Sequence, residues 1–148
     1  METRYAIRSF DARMTFEEYG RLPKNPVTVI LDNIRSAYNV GSVFRTADAA
    51  RIEEIITCGV TAHPPHQKLE KTAVGTDRFV KHEHFKTTAL AVASMKAGGV
   101  PVVVLETAEK APAYHEFRYP RPLCLVIGNE ALGVSEEVLA AVRGMCPG

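Results

Sequence analysis

The chain has no tryptophan, only three cysteines and a net charge of just +1 over 148 residues. Cys58, Cys124 and Cys146 are odd in number and show no Cys-x-x-Cys spacing. They read as reduced thiols, not as a disulfide frame or a zinc site. The small net charge decides nothing about nucleic acid, which needs a local basic surface more than a high total. No apolar run approaches the roughly 20 residues of a membrane span. Met1-Glu2-Thr3-Arg4-Tyr5 lacks the apolar core of a signal peptide, so a cytoplasmic protein is expected. No Walker A sequence and no Gly-x-Gly-x-x-Gly occur, which removes the ordinary phosphate cradles. No Ser-His-Asp arrangement can be assigned, and there is no internal repeat or low-complexity segment.

What is present is an ordinary globular composition, 46% hydrophobic and 24% charged, of a size for one domain with a real core. Residues 1–26 read as an N-terminal extension. Phe16–Tyr19 is a possible helical turn, and Pro23 and Pro26 punctuate the segment's end. The domain then runs over 27–148. Val27–Leu31 is nearly continuous in apolar character, as in a strand covered on both faces. Ile55–Cys58, Phe79-Val80, Val100–Leu105 and Leu123–Ile127 read as further strands. Val40, Val43, Phe44 and Ala47 form a helical stripe for which Asn39 is a candidate N-cap. The stretch Thr61–Gln67, with Pro64-Pro65, is expected to be loop. Thr87–Ala97 reads as a helix closed by Gly98-Gly99. Ser135 caps a last helix with Glu136 and Glu137 in its first turn and Val138, Leu139 and Val142 toward the core. Alternating strands and helices predict an α/β fold with a mostly parallel sheet and flanking helices.

Two short motifs follow strands, where such sheets bind ligands. The first is Asn39-Val40-Gly41-Ser42-Val43-Phe44-Arg45-Thr46-Ala47. Asn39 is either a plain cap or a site residue. Gly41 and Ser42 are small enough for a phosphate or sugar to approach a helix N-terminus. Arg45 lies off the apolar stripe. It is either a solvated cation or a guanidinium fork for phosphate. The second motif is Gly128-Asn129-Glu130, ahead of Gly133 and the capped helix. A basic stretch contains Lys68, Lys71, Arg78, Lys81 and Lys86, diluted by Glu70, Asp77 and Glu83. His63-Pro64-Pro65-His66 and His82-Glu83-His84 lack the spacing of a zinc hydrolase and have no nearby cysteine, so no metal is expected.

Together these motifs resemble the SPOUT methyltransferases, specifically the SpoU (TrmH-like) RNA ribose methylases. The resemblance covers about Val27 to Gly148. It rests on LDNIRSAYNVGSVFRTADAARI at 31–52, TAHPPHQKLEKTAVGTDRF at 61–79 and LVIGNEALGVSEEVL at 125–139. It implies a parallel sheet with a trefoil-knotted C-terminal segment, a homodimer that builds each active site, and no membrane or metal. The implied reaction moves a methyl group from S-adenosylmethionine to a ribose 2′-hydroxyl of tRNA or rRNA. On matching positions the resemblance makes Arg45 the catalytic arginine, with Asn39 organising the site beside it and Glu130 supporting the cofactor and active-site loops. Leu105, Glu106, Ile127, Gly128 and Asn129 fall at the cofactor-binding loops. RNA contacts are expected from Arg35, Arg45, Lys68, Lys71 and Arg78.

One part of the pattern departs. The third motif, a Pro-Met-x-Gly-like stretch followed by Ser-Leu-Asn-Val-Ser, is not found before Met145-Cys146-Pro147-Gly148. The sequence therefore reads as C-terminally incomplete, with an incomplete cofactor pocket and weak or absent activity expected of this chain by itself. The rival reading is a non-catalytic RNA-binding or dimerisation module. A generic nucleotide-binding α/β protein would rest on fold analogy alone.

Overall fold

The computed structural model describes residues 14–143. Residues 1–13 of the expected extension, and Cys146 with the rest of 144–148, lie outside the described residues. Helix α1 (Phe16–Arg21) opens with a capping box between Thr15 and Glu18. Then follow β1 (Asn25–Asp32), α2 (Ala37–Ala49), β2 (Ile52–Cys58), α3 (Gln67–Ala73) and β3 (Lys81–Phe85). The chain continues through α4 (Thr88–Ala97), β4 (Val102–Leu105), β5 (Leu123–Ile127) and α5 (Glu136–Arg143).

The five strands form one sheet in the order β3-β2-β1-β5-β4, and every neighbouring pair is parallel. Alternation along the central strands divides the core. Val29, Leu31 and Ile55 face α2 and α3, meeting Val40, Phe44 and Leu69. Ile30, Ile56 and Val126 face the other way, toward Ala91 and Val92 of α4 and Val138 of α5. Helices on both faces explain why Val27–Leu31 reads as an unbroken apolar run. The strand order reverses between β1 and β5. Their carboxyl ends are the switch point where open α/β sheets form ligand crevices.

Several expectations are corrected. Ser36, not Asn39, caps α2: its Oγ accepts from the Asn39 backbone N–H at 3.2 Å. Asn39 sits within the first turn. The third strand begins at Lys81, because Thr76–Arg78 forms a 3₁₀ turn that Phe79 ends. The fourth begins at Val102. The stretch after Pro65 is not all loop. His66 caps α3, whose Leu69 and Ala73 are buried. Gly41 does not leave room for a ligand. A Cβ there would meet the Leu69 carbonyl and Thr72 hydroxyl and lie 2.8 Å from the Ala73 nitrogen. Its smallness lets α3 lie directly on α2.

Candidate active site

The loops after β1 and β5 meet at the switch point, and polar side chains tie them together. Asn33 turns the chain at the end of β1 with φ +53°, a conformation asparagine tolerates better than most residues. Its carbonyl accepts from Asn129 Nδ2 at 2.7 Å, and its side-chain oxygen accepts from the Val60 N–H at 3.1 Å. Three loops therefore converge on Asn33, a residue the sequence reading passed over. The signal available was an Asp-Asn pair at a strand end, a common turn former.

Glu130 makes the strongest link. Its carboxylate accepts from the backbone N–H groups of Arg35 (2.9 Å) and Ser36 (3.1 Å) and from Asn39 Nδ2 (3.1 Å). Backbone N–H groups at and before a helix start otherwise lack partners, and the helix N-terminus favours an anion. Desolvation raises the Glu130 pKa. Donors from Arg35, its own backbone, Ser36 and Asn39 outweigh that and bring it down to about 2. Asn129 folds the same loop by accepting from the Ala131 and Leu132 N–H groups at 2.9 and 3.0 Å. Gly128 is required here, since a Cβ would lie 2.6 Å from the backbone of Gly133 and Val134.

A second carboxylate fixes the loop's far side. Glu106, just past β4, accepts from the Val134 N–H at 3.0 Å and the Thr107 N–H at 2.9 Å. These two backbone donors, Val134 first, hold its pKa below the usual carboxylate value. Beside it lies a cavity of about 550 Å³ whose lining includes Leu105, Glu106, Thr107, Tyr114 and Leu125. Its size is that of a small-molecule site. Leu105 and Glu106 line it, whereas Ile127, Gly128 and Asn129 do not. Leu105 is 49% exposed, an apolar surface offered to a ligand.

Arg45 lies on the exposed side of α2, one position past buried Phe44. None of the ion pairs among the described residues engages it. Neither Arg45, Asn39 nor Glu130 lines the cavity beside β4. Among the expected RNA contacts, Lys68, Lys71 and Arg78 are exposed on α3 and the turn after it. Arg35 is exposed too, and its backbone serves Glu130. Lys81 is engaged with the buried carboxylate of Glu54 at 3.3 Å.

His63, His82 and His84 form a cluster around Thr57. The His63 ring lies 5.1 and 5.4 Å from the other two, and Thr57 Oγ1 is 3.0 and 2.8 Å from Nδ1 of His63 and His84. Burial first, then the neighbouring His82 and His84, lowers the His63 pKa. No helix among the described residues is long and apolar enough to cross a membrane.

Known proteins resemble this chain in sequence and fold. A tRNA (guanosine(18)-2′-O)-methyltransferase of Escherichia coli is 28% identical over 114 residues, 77% of this chain and 49% of that protein. An enzyme of the same description from Thermus thermophilus is 29% identical over 132 residues, 89% of this chain and 67% of its own length. The chain thus spans about half to two thirds of these curated relatives. The crystal structure of an AdoMet-bound rRNA methyltransferase from Sinorhizobium meliloti superposes with a TM-score of 0.72 at 28% identity, covering 82% of this chain and 47% of that one. The family model described as the SpoU rRNA Methylase family matches residues 26–146, with both motif loops inside the match, and the chain belongs to that family.

Proposed function

We propose that the protein is an S-adenosylmethionine-dependent methyltransferase acting on a ribose 2′-hydroxyl of tRNA or rRNA. The observation that carries this reading is the Glu130 bridge. It fastens the loop after β5 to the start of α2, the helix that presents Arg45. The relatives named above are RNA 2′-O-methyltransferases and an AdoMet-bound rRNA methyltransferase.

The residues beside β4 suit the cofactor. Leu105 offers an apolar wall for a flat adenine, and the nearby backbone and Glu106 offer polar partners. When bound, S-adenosylmethionine supplies a sulfonium-activated methyl group with a good leaving group. What remains for the protein is to orient and activate a weak nucleophile. Arg45 does this by holding an RNA phosphate with its planar fork and placing a permanent cation near the reacting hydroxyl. A cation there favours the negative charge that develops on the oxygen. Glu130 is not the base. A carboxyl held at about 2 and occupied by three donor groups is a poor proton acceptor at neutral pH. It is a positioning residue, ionised throughout the working range.

The protein acts as a homodimer in this reading. Arg45 lies away from the cavity of its own chain, and a second copy supplying Arg45 would join the two halves. Calorimetric titration with S-adenosylmethionine tests the reading. Saturable binding weakened by an obstructing Leu105→Glu substitution is expected. Absence of binding by the purified full gene product would overturn it.

A further inference from the structure

Away from the switch point, at the amino end of the sheet, lies a second concavity of about 600 Å³. Phe16 and Tyr19 of α1, Asp48 and Ala49 of α2, Arg51 and Phe79 line it. The Phe16 and Phe79 rings are 4.9 Å apart and tilted by 39°, and Tyr19 meets Phe79 edge-on at 5.2 Å. These rings are not core. Phe16 is 61% exposed and Phe79 38%. The wall behind them is polar. Tyr19 donates to Asp48 Oδ1 at 2.8 Å, and the Arg51 guanidinium lies 4.7 Å above the Tyr19 ring. Arg51 is itself held by the carbonyls of Leu22 and Pro23. Cations flank Phe79: the Lys24 ammonium is 3.5 Å from its carbonyl, and its neighbour Arg78 is exposed.

The position along α2 gives the pocket its meaning. Ala49, on its rim, is one helical turn beyond Arg45, and both are exposed. Residues at that spacing stand about 5–6 Å apart on one helix face. An RNA strand held at Arg45 therefore runs close to the aromatic rim.

We infer that this concavity is a stacking site for an unpaired nucleobase of the RNA, near the ribose held at Arg45. The inference rests on the RNA reading above. Exposed aromatic faces stack bases without regard to sequence. Asp48 accepts hydrogen bonds only, which suits a base edge that offers N–H groups. Lys24 and Arg78 supply the charge that a phosphate needs.

The test is fluorescence anisotropy with a labelled single-stranded RNA of about 12 nucleotides, and with unfractionated tRNA as competitor. Phe16→Leu keeps an apolar contact for α1 but removes the flat ring, whereas Phe16→Trp keeps a flat ring. Phe16→Leu is expected to weaken binding about five- to a hundredfold. The salt dependence should stay the same, because no phosphate contact is lost. Phe16→Trp should restore binding. Wild-type binding that Phe16→Leu leaves intact, or that Phe16→Trp fails to restore, overturns the stacking site and leaves the RNA reading standing. Failure of the wild-type protein to bind either RNA overturns both.

Discussion

The side-chain amide of Asn39 donates to Glu130 across 3.1 Å, joining residues 91 positions apart in the chain. This contact ties the two family motifs into one rigid unit. It also makes the start of α2 dependent on an ionised carboxylate.

That dependence has a pH signature. Glu130 is held at about 2 in the folded protein, below the ordinary carboxylate value of 4.5. The unfolded chain therefore binds the proton more readily. The Glu130 contribution to stability is fully present above about pH 4.5 and is lost as pH falls toward 2. Thermal melts of the wild type and Glu130→Gln should differ at pH 6 and converge as the pH falls through that window. A constant difference would show that Glu130 acts by shape alone.

Gly41 should tolerate no side chain. Its Cβ would run into the backbone of α3, and backbone cannot move aside as a flexible side chain can. Overpacking of this kind costs about 1–3 kcal/mol. Gly41→Ala should lose that much in urea unfolding. Unchanged stability would mean that α3 slides readily on α2.

The helix carrying Arg45 was legible because Val40, Phe44 and Ala47 repeat at helical spacing and leave Arg45 off the stripe. Its cap was not. Ser36 and Asn39 are both good capping residues, and what separates them is Glu130, which takes the Asn39 side chain from far along the chain. Helix α3 was hidden because seven residues carry only Leu69 and Ala73 as a buried face. The parallel sheet could be read from its apolar runs. The cavity beside β4 could not, because Tyr114 and Leu125 reach it from separate parts of the chain. Gly41 was misread for a related reason: a small residue signals close approach but not what approaches.

The histidine cluster should respond to acid. His63 is half-buried, with His82 and His84 beside it, and burial first and those neighbours second lower its pKa from 6.5. The unfolded chain is then the better proton acceptor. The stability His63 contributes is complete above about pH 6.5 and declines as pH falls from there toward its lowered folded value. An NMR titration should find His63 protonating at lower pH than an exposed histidine. Thr57→Val removes the shared hydroxyl and should cost about 0.5–1.5 kcal/mol, the net worth of a hydrogen bond whose histidine partners still reach water. A normal His63 titration would show that the cluster opens freely to water.

The most direct test of the account is methyl transfer to RNA by the purified full gene product, read by mass analysis of the digested nucleosides. Wild-type protein should produce 2′-O-methylated ribose from S-adenosylmethionine. Arg45→Ala should lose nearly all of it while its stability stays within about 0.5 kcal/mol of wild type, as for an exposed residue. Methylation on a base, or a 2′-O-methyl product formed equally well by Arg45→Ala, would contradict the account.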